Sequence, residues 1–320
     1  MSGHSFVTGA NGRIGRVLVE RLVSSGERVV GLARSEAKAA DVRALGADCI
    51  VGSMAHTDAL AQGLDGAARV YHLAGGFRGA GTETPDRLNR ESAEQLAAAL
   101  KDHTPERVVF TSSCAVYGDR SSLWVDEDMP PHPHTRYGRS KIDAEQALEG
   151  TPGLCIVRLA ATYGPGFPWL MDDRIRAGKG WLPGEGRNFV PTIHVDDAVT
   201  GLILIGTKGE GGVYNLADLE PVPLKAFYGA VHACVGGTPM RFWSTWIPSY
   251  VQFWAARNNE RFQSRTGQTP RFTPDGIRLF TASVRVRVER MASELSMEWA
   301  HPEPTAGVRA VLNDEGPAAT

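Results

Sequence analysis

The first fifteen residues constrain this chain more than any other stretch. Ser5-Phe6-Val7 reads as a short buried strand, and Thr8-Gly9-Ala10-Asn11-Gly12-Arg13-Ile14-Gly15 as a tight turn that opens a helix. Val17, Leu18, Leu22 and Val23 then recur at helical spacing, with Glu20 and Arg21 facing outward. Strand, glycine-rich turn and helix in this order are the context that a dinucleotide phosphate site requires. Gly9 allows the turn, Gly12 lets backbone approach a pyrophosphate, and Gly15 lets the helix sit close to the strand. The helix start offers unpaired N–H groups and a partial positive charge, so Gly9, Asn11, Gly12, Arg13 and Ile14 are candidate cofactor contacts. Taken alone, the triplet is equally an ordinary strand-to-helix turn; the rest of the chain decides between the two.

Arg28 to Ala33 reads as a second buried strand. A site that prefers NAD usually ends this strand with an acid that holds the ribose 2′-hydroxyl. Here Ala33 stands in that place and Arg34 follows, a bidentate cation suited to a 2′-phosphate, which Arg13 in the glycine turn could help to hold. Two solvated surface arginines are the bland alternative. A missing acid and a present base agree, so NADP is expected ahead of NAD.

Strand and helix then alternate. Helices are expected over 36–45, 55–64, 87–100 and 137–148, and strands over 48–52, 69–75, 107–111 and 154–159. That rhythm predicts an α/β fold, a doubly wound parallel sheet with helices on both faces and ligands at the strands' C-terminal edge. The fourth strand ends in Leu73, Ala74 and Gly75, small enough at its tip for backbone to run beside a cofactor; His72 reads as core packing. Residues 77–85 read as a loop over the site. Past Gly164 the rhythm breaks, although 192–199 reads as a strand end entering a helix with an Asp cap, and 213–216 as a further strand.

Chemistry concentrates after the fifth strand. Tyr137 and Lys141 lie four apart on a predicted helix and share a face. A lysine one turn away lowers a phenol's pKa electrostatically, which makes the tyrosine an acid/base for a carbonyl–alcohol pair. Lys141 also has the reach for ribose hydroxyls. Ser113, or its neighbour Ser112, ends the adjoining strand and offers a hydroxyl to the substrate oxygen. A random surface Tyr-x-x-x-Lys is the alternative for the pair alone; a serine turn one unit earlier and a dinucleotide turn at the start speak against it.

These pieces together resemble an extended short-chain dehydrogenase/reductase of the NAD-dependent epimerase/dehydratase superfamily. The matching stretches are 8–15, 72–75, 111–118, Tyr137 with Lys141, 158–165 and His194-Val195-Asp196-Asp197, in the right order over about the first 220 residues. The resemblance implies a Rossmann-type fold and an NAD(P)-dependent enzyme. It implies Ser113, Tyr137 and Lys141 as the catalytic triad. Counting back four from Tyr117 favours Ser113 over Ser112, which then joins Leu159 and Ala160 among the cofactor contacts. It implies a cofactor domain over 1–163 to which 188–217 returns, a substrate lobe over 164–187 and 218–314, and a tail over 315–320. A homodimer is common in the family and is expected on that ground alone.

Nucleotide-sugar epimerases usually carry an Arg shortly before the His-Val-Asp-Asp stretch; here the approach is Asn188-Phe189-Val190-Pro191-Thr192-Ile193, with Arg187 further off. Phe242, Trp243, Trp246, Tyr250, Phe253 and Trp254 crowd into thirteen residues, with Phe167 and Trp169 before them. Such rings suit an apolar substrate better than a diphosphate. The run reads equally as lobe core, or more remotely as a membrane-interface surface. Phe77, Phe167, Trp169 and Trp246 are the candidate substrate contacts. Gly267-x-x-Pro270 with Thr273-Pro274 resembles the 3β-hydroxysteroid dehydrogenase-like and dihydroflavonol reductase-like branch. The expected reaction interconverts a ketone and a secondary alcohol on an apolar, steroid-, polyketide- or flavonoid-like molecule. A nucleotide-sugar epimerase or dehydratase and a non-catalytic NADP-binding sensor are the alternatives.

A net charge of −2 gives no reason to expect a nucleic-acid partner. Cys49, Cys114, Cys155 and Cys234 lie far apart, without metal-ligand or disulfide spacing, so no metal and a reducing cytoplasm are expected. No early apolar run reads as a signal peptide and none is long enough for a transmembrane helix.

Overall fold

Seven parallel strands form the central sheet of this computed structural model, which describes residues 3–76, 85–167, 170–243, 254, 257–258 and 273–314. They are β1 (His4–Thr8), β2 (Val29–Ala33), β3 (Asp48–Val51), β4 (Ala67–His72), β5 (Arg107–Ser113), β7 (Leu154–Leu159) and β11 (Gly212–Leu216). Their spatial order is β3-β2-β1-β4-β5-β7-β11, as expected for a doubly wound α/β sheet. Successive side chains alternate between faces. In β1, Phe6 joins Leu60 and Leu64 on one side while Val7 joins Leu18 and Leu22 on the other. In β5, Val108 and Phe110 face one way and Val109 the other. Both faces are covered, which is why these strands read as continuous apolar runs rather than alternating ones.

Helices α1 (Arg13–Ser24), α2 (Glu36–Arg43) and α7 (Val195–Lys208) cover the first face; α3 (Thr57–Leu64), α4 (Pro85–Ala99) and α5 (Arg136–Ala147) cover the second. The strand order reverses between β1 and β4. The crevice beyond their C-terminal ends is where such sheets bind ligands, and it places Gly9 beside Leu73 and Ala74.

Three parallel strand pairs of two or three residues were not expected: β6 (Trp124–Val125) with β13 (Arg285–Val286), β8 (Ala161–Tyr163) with β10 (Thr192–His194), and β9 (Trp181–Pro183) with β12 (Arg241–Trp243). Further helices among the described residues are α6 (Asp172–Arg176), α8 (Leu224–Val235), α9 (Pro274–Thr281), α10 (Glu289–Leu295) and α11 (Pro304–Asp314). Tyr163, Ile175, Leu182, Leu224, Phe227 and Val308 share a third apolar cluster, apart from the two that flank the sheet.

The expected Asp cap of α7 is corrected. His194 is the N-cap residue, and its Nδ1 accepts from the amide of Asp196 at 3.2 Å. Asp196 and Asp197 instead occupy the first turn, where their charge meets the positive helix end. Asp197 accepts from the amides of Ala300 and His301 at 2.8 and 2.9 Å, tying the approach to α11 onto α7. The four cysteines are free, and no described helix is long and apolar enough to cross a membrane.

Candidate active site

The glycine turn is built by close approach. Gly9 adopts φ +71°, and a Cβ there would lie 2.8 Å from the amide of Ala74. At Gly15 a Cβ would lie 2.2 Å from the carbonyl of Gly9, so α1 sits directly against the turn. Gly12 is the N-cap of α1; no side chain caps it and no acid stands in the first turn. The first amides of the helix, at Arg13 and Ile14, therefore have no acceptor within the helix. This cradle, open to an anion and closed to a Cβ, fits a dinucleotide's phosphates. Leu73 donates its amide to the Thr8 carbonyl at 3.1 Å, and Ala74 donates to Thr8 Oγ1 at 3.3 Å, so the end of β4 is laced to the turn. Thr8 Oγ1 also meets His72 Nδ1 at 2.7 Å. His72 is core, stacked on Phe110, and burial, helped by Lys141, pushes its imidazole down to about 3.

Arg34 is exposed at the end of β2. Arg13 donates through Nε to the carbonyl of Gly166 at 3.1 Å, bridging to the loop after β8.

Ser113 is the last residue of β5 and caps a 3-10 turn (Cys114–Tyr117), its Oγ accepting from the amide of Ala115 at 3.2 Å. Ser113 also lies near enough to the Tyr137 phenol to pull its pKa down. The Ser112 side chain points into the interior, where its hydroxyl donates to the Glu145 carboxylate. Its expected place among the cofactor contacts is therefore corrected as far as the hydroxyl goes, since strand alternation sends 112 and 113 to opposite faces. Thr135 caps α5 by accepting from Gly138 at 3.0 Å, which sets Tyr137 in the first turn and Lys141 one turn on. Lys141 Nζ donates to the Thr111 carbonyl at 2.9 Å and lies 5.2 Å from the centre of the Phe110 ring. Gly75 abuts it: a Cβ there would be 3.5 Å from Nζ.

The electrostatics differ from the expectation drawn from spacing. Burial pushes the Tyr137 phenol up, and Ser113 rather than Lys141 pulls it back. Burial also pushes Lys141 down to about 8, against the pull of Glu145. In this arrangement desolvation sets the direction for both groups.

Sequence reasoning missed Asn89. It is buried on α4, accepts from the amide of Gly76 at 3.0 Å, and donates to the Gly76 carbonyl at 3.1 Å and to Ser140 Oγ at 3.0 Å. Ser140 in turn donates to the carbonyl of Tyr137 at 2.8 Å. A signal existed: Asn89, Ala93, Leu96 and Leu100 follow the core spacing of α4, and a polar residue in such a stripe needs partners.

Leu159 and Ala160 are buried at the end of β7, and Phe167 is half-buried against the main core. Phe77, Trp169 and Trp246 lie outside the described residues, as do the 77–84 loop and the 315–320 tail. Of the aromatic run, Phe242 packs on the third cluster beside Gly186, and Trp254 is 68% exposed. His194, Asp196 and His301 bring possible ligand atoms within 4.8 Å of one another. Asp196 is held by Arg21 at 2.8 Å, and the two imidazole centres are 3.8 Å apart. Two imidazoles sharing an ion at about 2.0–2.1 Å per nitrogen need their rings farther apart than that, so this cluster does not fit a metal as it stands.

Comparison with known proteins places the geometry in context. The family model for the NAD-dependent epimerase/dehydratase family matches residues 5–217. A 4-hydroxy-2-methyl-3-oxo-4-farnesyl-3,4-dihydroquinoline-1-oxide ketoreductase from Stigmatella aurantiaca is 35% identical over 240 residues, 70% of each chain. A 2-alkyl-3-oxoalkanoate reductase from Shewanella oneidensis is 27% identical over 263 residues, covering 74% of this chain and 67% of that one. The crystal structure of gox2253 superposes with a TM-score of 0.78 at 23% identity, covering 99% of this chain and 100% of the other, a likeness of fold.

Proposed function

This chain belongs to the NAD-dependent epimerase/dehydratase family, as an NAD(P)-dependent oxidoreductase, and from that membership we propose that it is an NADP-dependent ketoreductase acting on an apolar small molecule. The observation that carries the reading is the buried Lys141, bonded to the Thr111 carbonyl at 2.9 Å, one helical turn after Tyr137 and beside Gly75 in the crevice. Ser113 holds the substrate oxygen, and Tyr137 passes its phenolic proton to that oxygen as the carbonyl becomes an alcohol. Lys141, as an ammonium, stabilises the tyrosinate left behind and reaches for ribose hydroxyls. The nicotinamide supplies the hydride. Residues 9–15, 73–75, 159–160 and Lys141 would hold it, with Arg34 at the 2′-phosphate.

The apolar substrate is supported by the farnesyl- and alkyl-bearing ketones that the named relatives reduce, and by the lack of an Arg close before His194. On this reading 1–163 with 188–217 is the cofactor domain, and 164–187 with 218–314 the substrate lobe. The test is NADPH consumption against a panel of 2-alkyl-3-oxo acids and cyclic ketones, for the wild type and Tyr137→Phe. Removing the hydroxyl alone should cut turnover by at least about a hundredfold with NADPH affinity little changed. Near-normal turnover in that variant, or tight binding of a nucleotide-diphosphate sugar, would overturn the reading.

A further inference from the structure

Three consecutive residues at the end of β5 face three residues of α5. Thr111 offers its carbonyl to Lys141, Ser112 donates its hydroxyl to Glu145, and Ser113 meets Tyr137. The first and third of these involve the proton-handling pair; the second does not, and nothing in the proposed chemistry uses it. Glu145 lies one turn after Lys141 on the same buried face of the helix. Its Oε2 accepts from Arg158 at 3.0 Å and its Oε1 from the same guanidinium at 3.3 Å. Arg158, on β7, also donates to the Tyr117 hydroxyl at 3.1 Å. A buried ion pair of this kind adds little net stability over apolar packing, so its placement calls for another explanation.

We propose that Glu145 is a positioning residue for Tyr137 and Lys141: held by Arg158, it fixes α5 in register on the end of β5 and supplies the negative charge that keeps Lys141 an ammonium. The inference rests on the reading of Tyr137 and Lys141 as the proton-handling pair.

The groups that face Lys141 come from every element packed against it. β5 contributes the Thr111 carbonyl and the Phe110 ring, β4 contributes His72, and α4 contributes Asn89 beside Gly75. α5 contributes Tyr137 and Glu145, and Arg158 stands behind Glu145. Of these groups, Glu145 is the carboxylate. Burial disfavours the ammonium and Glu145 opposes that, leaving Lys141 near 8. Without the carboxylate an amine in this setting is neutral over much of the physiological range. It then neither stabilises a tyrosinate nor donates three charged hydrogen bonds.

The chain has six lysines, and the other five, Lys38, Lys101, Lys179, Lys208 and Lys225, are exposed. Lysine labelled with carbon-13 at Cε therefore gives a short NMR spectrum in which the Lys141 signal, identified by its loss in Lys141→Arg, titrates apart from the rest. The titration needs neither cofactor nor substrate. In Glu145→Gln, which keeps size and an acceptor for Ser112, the Lys141 midpoint should fall by about one unit, a tenfold loss in proton affinity. In Glu145→Asp, which keeps the charge, it should stay within about half a unit of wild type. NADPH affinity in Glu145→Gln, measured against wild type at the same pH, should be about fivefold weaker at pH 8 and close to normal at pH 6, because acid restores the ammonium. A purely structural role would not be rescued by acid. Glu145→Gln leaves Arg158 buried without its partner, so if it fails to fold, Glu145→Gln with Arg158→Met is measured instead and should move the midpoint in the same direction. An unmoved midpoint in a folded neutral variant overturns the inference. Loss of the fold in both neutral variants also overturns it, since the pair is then a structural clamp. Retained turnover in Tyr137→Phe sinks the proton-handling reading and leaves the lysine titration as it was, so the two failures are distinguishable.

Discussion

Two helical glycines, given the same substitution, should move in opposite directions. Gly15 lies in the first turn of α1 and Gly229 in the middle of α8. Alanine is favoured over glycine in a helix by up to about 1 kcal/mol. At Gly229 a Cβ meets nothing within 4 Å, so only that gain remains. At Gly15 a Cβ would stand 2.2 Å from the Gly9 carbonyl oxygen and 3.0 Å from Ala10 Cα, both backbone. Neither neighbour has a side chain to swing aside, so α1 must lift off the turn by about 1 Å to reach an ordinary contact distance. Overpacking of this kind costs roughly 1–3 kcal/mol, which exceeds the helical gain. Gly15→Ala should therefore lose about 1–2 kcal/mol net, while Gly229→Ala gains a fraction of 1 kcal/mol. Lifting α1 also withdraws its first amides from the phosphates, so NADPH should bind about 5- to 30-fold more weakly to Gly15→Ala and normally to Gly229→Ala. Thermal unfolding and fluorescence titration of NADPH on both variants give the answer. Melting shifts of the same sign would refute the packing argument. Unchanged NADPH affinity in Gly15→Ala would refute the assignment of the turn as a cofactor cradle.

Arg34→Asp should weaken NADPH and leave NADH unchanged or improved, because a carboxylate repels a 2′-phosphate and accepts from a 2′-hydroxyl; a wild type that prefers NADH refutes the role given to Arg34. Asp218 is buried, accepts from Thr192 Oγ1 at 2.8 Å, and has its carboxyl pushed up to about 8 by desolvation. Between about pH 4 and 8 the unfolded chain releases this proton and the folded one keeps it, so the group costs stability as pH rises. Asp218→Asn should gain on wild type across that window by up to about 1 kcal/mol per pH unit, read as a melting difference that grows from pH 4 to 8. A difference independent of pH would show that the carboxyl ionises normally in the fold.

What the sequence made legible has a common physical character: it is local and periodic. The apolar runs of β1, β5 and β7 are long enough to be buried on both faces, Gly15 is demanded by contact with Gly9 and Ala10 in the same turn, and Gly9 by its own φ of +71°. The strand pairs of two or three residues leave no period to detect. His194 escapes notice as a cap because the acids beside it are the commoner choice. Arg13 reads as a helper for Arg34, but its partner, Gly166, lies 153 residues away. Asn89 sits in plain view on a core stripe, yet its meaning depends on Gly76 and Ser140, which only the fold brings together. The state of Tyr137 cannot follow from a four-residue spacing, because desolvation, a property of the whole packed site, sets its direction.

Ser113 finishes β5 and begins a 3-10 turn with the same oxygen, one lone pair already taken by the Ala115 amide. The rotor of that hydroxyl is thus fixed when the chain folds, not when a ligand arrives. A serine on an open loop would surrender conformational entropy at each binding event, about 1–2 kcal/mol with its backbone. Here that loss is absorbed once, into the folding equilibrium, and the hydroxyl stands preorganised in every turnover. A glycine inserted after Ser113 would delete no side chain of the site and yet restore that freedom.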